Sequence, residues 1–173
     1  MIRKKAAAAA ACFVSLSAHA IDGVSVETGR GDDKTSVLRV AVTEDWRKAP
    51  PLTDDWRLAG YWELSAAVWD NPQDSTADIG LTPVFRFMRG RRRKGSVYVE
   101  AAIGFHLVQT HISASRVFST AFQFGDHVGA GMHLGPDGRY DLGVRLQHIS
   151  NGRIATPNPG INFWLVRLQY SLE

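Results

Sequence analysis

Leu142-Gly143-Val144-Arg145-Leu146-Gln147-His148-Ile149-Ser150 alternates strictly. Leu142, Val144 and Leu146 fall on one face, Arg145 and Gln147 on the other. Period two is the signature of a β-strand. His148 and Ser150 continue the apolar face at its end. The same period runs through seven other stretches. They are Val24–Val26, Leu38–Val42, Trp62–Val68, Ile79–Phe87, Val97–Leu107, Phe122–Leu134 and Trp164–Leu172. Gly, Pro, Asn and Asp clusters separate most of these runs, as turns require.

The opposite faces decide the environment. They carry Arg39, Glu63, Asp78, Arg86, Glu100, His106, Arg145, Gln147, Arg167 and Gln169. Charges of both signs inside a soluble core are costly unless paired. A soluble eight-stranded barrel or sandwich in the periplasm shares the alternation but leaves this face hard to explain. If the apolar face meets lipid, the sense inverts and the polar set fills a lumen. Alternating segments of about ten residues, even in number, describe an outer-membrane barrel. Eight strands enclose an interior that side chains can fill. Trp46, Trp56, Trp62, Trp69 and Trp164 lie at or near run ends, where interfacial belts belong. The expected fold is all-β: an eight-stranded antiparallel transmembrane β-barrel of the outer membrane.

Residues 1–20 read as a secretory signal peptide. Arg3, Lys4 and Lys5 precede an apolar stretch too short to span a bilayer, and Ala18-His19-Ala20 is a small-x-small cleavage signal. Residues 21–173 then form a single barrel domain. The one cysteine, Cys12, leaves with the signal. Its three basic residues account for the excess of 20 Lys+Arg over 17 Asp+Glu, so the mature chain is formally neutral. No nucleic-acid partner is expected, since the run Arg91-Arg92-Arg93-Lys94 is a single charged turn. With both ends periplasmic, turns near 46–58, 90–95 and 135–139 face the periplasm. Loops near 29–34, 70–76, 109–120 and 151–160 then face outside.

Parity puts His148 and Ser150 on the lipid side, at the outer end of their strand. Residues i and i+2 of a strand are about 6.6 Å apart on one face, within reach of each other's side chains. A serine hydroxyl becomes a nucleophile only when an adjacent base takes its proton. Asp126 interrupts the outward series Phe122, Phe124, Val128, and Asn162 opens the series Trp164, Val166. A turn at 135–139 pairs Leu134 with Tyr140 and sets Asp126 opposite His148. A carboxylate facing lipid is expensive; beside an imidazole it fixes the tautomer and stabilises the imidazolium.

These residues, in His148-Ile149-Ser150-Asn151-Gly152 and Pro157-Asn158-Pro159-Gly160-Ile161-Asn162, resemble a known family, the outer-membrane lipid A 3-O-deacylases (PagL). Tyr98–Gly104 and Phe122–Asp126 add to the likeness. The resemblance implies a serine esterase that removes the 3-position acyl chain of lipid A at a site on the barrel's outer surface. It implies Ser150 as nucleophile, His148 as base, and Asn151, Gly152 and Asn158 in the oxyanion-stabilising loop. The family's acid is a Glu at the position of Asn162, which carries no charge. Asp126 is the expected acid in its place, and Asn162 is placed to orient His148 by a hydrogen bond.

No cofactor or metal is expected: His106, His111, His127 and His133 are scattered. The Gly-x-Ser-x-Gly elbow is absent, and Gly129-Ala130-Gly131 lacks the rest of a dinucleotide fingerprint. The implied partners are lipid A or lipopolysaccharide and the surrounding outer-membrane lipids. A homodimer sharing a lipid-facing groove is compatible with the pattern. Two other readings stand beside this one: a non-catalytic structural or adhesion barrel, and another outer-membrane phospholipase or acyltransferase.

Overall fold

Alternating sequences leave every strand with one polar and one apolar face, and closure into a cylinder satisfies both while removing unpaired edges. In the computed structural model, which describes residues 21–172 except 49–51, 54, 91 and 114–115, this closure is complete. The expected signal segment 1–20 and Arg91 of the basic turn lie outside the described residues. The strands are Gly23–Gly31 (β1), Ser36–Asp45 (β2), Trp56–Asp70 (β3), Ser75–Arg89 (β4), Val97–Val108 (β5), His111–Ser113 (β6), Arg116–Val117 (β7), Phe122–Leu134 (β8), Tyr140–Ser150 (β9) and Ile161–Ser171 (β10). Eight of them close in the order β1-β10-β9-β8-β5-β4-β3-β2. All neighbours are antiparallel, and β1 seals the barrel against β10 from Gly23↔Ser171 to Gly31↔Phe163.

The barrel is apolar outside and polar inside. Arg145 is 2% exposed while Leu146 beside it is 41% exposed. All ten polar residues expected to face inward are buried. Their charges are paired, which makes their burial tolerable. Arg145 donates to Glu100 at 2.7 Å, to Glu63 at 3.2 Å, to the Tyr61 hydroxyl at 2.7 Å and to Glu27. Arg86 bridges Glu100 at 2.8 Å and Asp141 at 2.6 Å. Arg39 reaches Glu27 at 3.0 Å and the Gln147 side chain at 2.7 Å. His106 meets Asp78 at 2.8 Å.

Three sequence expectations need correction. Trp69 does not join an interfacial belt. It has the opposite parity to Val68 and points inward, fully buried, 5.0 Å ring to ring from Phe163. With Val37, Val108, Ile149, Ile161 and Leu165 it builds an apolar plug toward the outer end of the lumen. The turn drawn at 46–58 ends earlier, because pairing of β3 with β4 extends to Trp56↔Arg89. The loop at 109–120 contains the β6–β7 hairpin, whose Ile112, together with Phe118, tops the plug. The plug backs the wall that carries the candidate site.

Candidate active site

Ile149 and Ile161 are fully buried in the plug, which fixes the parity of β9 and β10. Their neighbours His148, Ser150 and Asn162 therefore face outward. His148 pairs with Asp126 on β8 and with Asn162 on β10. The three side chains form a row across the outer wall, as the expected 135–139 turn requires; Leu134 does pair with Tyr140. Within this row the ring bonds to one side. His148 Nδ1 lies 2.8 Å from Asn162 Oδ1. The amide end of Asn162 donates to Asp32 Oδ2 at 3.0 Å, and so does its backbone N–H at 3.0 Å. Asp126 lies level with the ring on the opposite side.

Ser150 ends β9, two residues beyond His148 on the same face and opposite Phe124. Gly160 stands on the facing chain. Its φ of +60° suits glycine, and a Cβ there would lie 2.8 Å from His148 Cε1. The absence of a side chain leaves room for the ring. Arg116 donates to the Gly160 carbonyl and, through Nε, to Asp33 at 2.8 Å, so the loop hairpin holds this strand entry.

The Asn151–Gly160 loop is organised from within. Asn151 is fully buried. Its side chain donates to Ser119 Oγ at 3.0 Å and to the Ala155 carbonyl at 2.9 Å, and accepts from Arg153 N–H at 2.9 Å. Its backbone N–H donates to Asn158 Oδ1 at 3.0 Å. Asn151 and Asn158 thus brace the loop, while Gly152, at φ +62°, is exposed beside Phe124.

A groove of about 680 Å³ runs from this row across the outer wall. Asp126, His148, Asn162 and Trp164 line one end, with Val128, Leu146, Ile103 and Ala101 beyond them and Phe85 and Phe87 at the other end. Phe87 lies two residues from the periplasmic end of β4, so the groove descends into the depth of the bilayer. Among the described residues no three His, Cys, Asp or Glu side chains converge as a metal-ligand set.

The sequence singled out His148, Ser150, Asp126 and Asn162, which the fold places on one outward face; it gave no sign that Asp32 and Arg116 reach the same place. Asp32 sits in the short turn after β1, 130 residues from Asn162. Only barrel closure brings it to the site, and no local pattern marks it.

Known proteins agree with this architecture. A family model described as lipid A 3-O-deacylase (PagL) matches residues 37–171. The lipid A deacylase PagL of Bordetella bronchiseptica is 31% identical over 176 residues, covering 95% of this chain and 90% of the relative. The lipid A deacylase PagL of Pseudomonas aeruginosa is 29% identical over 148 residues, covering 84% and 83%. The crystal structure of the outer membrane enzyme PagL superposes with a TM-score of 0.78 at 24% identity, covering 87% of this chain and 99% of that one. By the family model and the extent of these matches, the chain belongs to the lipid A 3-O-deacylase (PagL) family and is an eight-stranded barrel of the outer membrane.

Proposed function

We propose that this chain hydrolyses the 3-position acyl ester of lipid A in the outer leaflet, with Ser150 as nucleophile and His148 as base. The observation that carries the reading is the outward-facing row. It holds an imidazole whose Nδ1 is engaged by Asn162, a hydroxyl two residues on, and an apolar groove leading into the membrane. With Nδ1 bonded, Nε2 is the nitrogen left to accept a proton. Ser150 Oγ attacks the ester carbonyl carbon as its proton passes to His148 Nε2. The tetrahedral intermediate collapses, the C–O bond to the sugar breaks, and the departing 3-oxygen takes the proton from His148. Water then attacks the acyl-serine, giving one proton to His148. That proton returns to Ser150 Oγ as free fatty acid leaves.

The groove takes the acyl chain, which the ester carries at bilayer depth. Gly152, exposed just beyond the nucleophile's strand end, supplies the backbone donor for the oxyanion, and Asn151 and Asn158 hold its loop in shape. Asp126 adds negative charge beside the imidazolium, second to the ring's own hydrogen-bond partner. The mature barrel is residues 21–173, exported through a cleaved signal at 1–20.

Mass spectrometry of lipid A from cells expressing each variant tests this. Ser150→Ala and His148→Ala should each abolish deacylation while leaving a barrel with heat-dependent gel mobility, because members of such a unit typically contribute about 10³-fold or more. Full activity in either folded variant sinks the reading.

A further inference from the structure

We propose that Asp32 is the charged positioning residue of the site, acting on His148 through Asn162. This rests on the reading of His148 as the base. An amide has one accepting end and one donating end. The donating end of Asn162 is held by Asp32 Oδ2 at 3.0 Å, and the Asn162 backbone N–H holds the same oxygen at 3.0 Å. A flipped amide would point its oxygen at the carboxylate. The accepting end must therefore face His148 Nδ1, 2.8 Å away, and the ring must present an N–H there. Nε2 is left bare for the serine proton. When that proton arrives, the positive ring lies one polarised amide from a full negative charge, and hydrogen-bonded chains of this kind reinforce one another.

Asp32 is held for this task. Thr35 N–H donates to its carbonyl at 3.0 Å, and Gly31 N–H donates to the Thr35 carbonyl at 2.7 Å. The last rung of the closing seam, Gly31↔Phe163, sets it beside Asn162. Its neighbour Asp33 is committed to Arg116. The charged groups around the ring are thus Asp126 from β8, Asp32 behind Asn162, and Arg116 behind the Gly160 carbonyl.

The test uses the full-length barrel in detergent micelles and purified lipid A, scoring released 3-acyl fatty acid, with heat-dependent gel mobility confirming each folded variant. Asp32→Asn keeps the shape and both accepted hydrogen bonds and removes only the charge. Its kcat should fall roughly ten- to a hundredfold with KM unchanged, by analogy with the loss of the partner that orients a metal-binding histidine. Asn162→Ala should fall at least as far, and adding Asp32→Asn to it should cost nothing more, since the link is already cut. Asn162→Glu combined with Asp32→Asn should regain turnover, because the carboxylate then touches the ring directly. Asn162→Glu alone sets two carboxylates against each other and should be less active than that pair. Wild-type kcat in Asp32→Asn, or full additivity with Asn162→Ala, overturns the relay. If Asp32→Asn gives no folded barrel, Asp32→Ser replaces it in the same comparisons, and wild-type kcat in that variant overturns the relay. Ser150→Ala, run alongside, separates the failures. An active Ser150→Ala sinks the serine reading itself, whereas an inactive one beside a fully active Asp32→Asn sinks only the relay.

Discussion

A methyl group at position 160 would press on the His148 ring, with its carbon 2.8 Å from Cε1, and would add strain at a positive φ. The nearest relief is rotation of the ring away from Asn162. Gly160→Ala should therefore keep the barrel and lose turnover, about a hundredfold if the ring moves by 1 Å; rates on purified lipid A beside gel mobility check it. The ring's commitment to Asn162 also ranks its neighbours. Asp126→Asn should lower kcat less than Asn162→Ala, and the reverse order in kcat would place the orienting group on β8. Parity and a five-residue turn were enough to place His148, Ser150, Asp126 and Asn162 on one outward face, because strand neighbours are set by local counting. Which neighbour the imidazole bonds is a matter of rotamers and of Asp32, and neither leaves a trace in the alternation.

At the scale of elements, the eight barrel strands were legible because each obeys a period of two over most of its length. What failed was the part of β3 where two faces are both apolar. Trp69 follows Val68, so hydrophobicity alone does not separate a belt residue from a plug residue; strict parity would have sent it inward. The β6–β7 hairpin escaped for a different reason, since its three- and two-residue strands are too short to show a period. The groove depends on small residues between large ones. Ala101 pairs with Phe85 on one side and Val128 on the other, leaving a notch between them. Ala101→Trp should fill it. Hydrolysis of long-chain esters should then fall more than that of short-chain esters, with about 0.8 kcal/mol lost per methylene excluded. A loss independent of chain length would show that the acyl chain lies elsewhere.

For the whole molecule, the lumen rather than the lipid face holds the shape. The outward residues meet only lipid, which is as apolar as they are and selects no partner, whereas the inward charges need particular partners, so specificity comes from the ionic network inside. Arg145 is its hub: the guanidinium reaches Glu27, Glu63, Glu100 and the Tyr61 hydroxyl, and so joins β1, β3, β5 and β9 across the barrel. The polar face of each strand was readable in the sequence, but the hub was not, because its partners lie up to 118 residues away and meet only on closure. Removing one member of a buried ion cluster strands the others, at a typical cost of about 3–5 kcal/mol. Here the buried carboxylates of Glu27, Glu63 and Glu100 would each lose their shared cation. Arg145→Ala should therefore lower the thermal midpoint of the heat-dependent gel shift strongly, with lipid A hydrolysis declining only in step with the folded fraction. Arg145→Lys keeps the charge but not the fork that serves several acceptors at once, so it should fall between wild type and Arg145→Ala. An unchanged midpoint in Arg145→Ala would mean that Arg39, Arg86 and Arg167 carry the network without it.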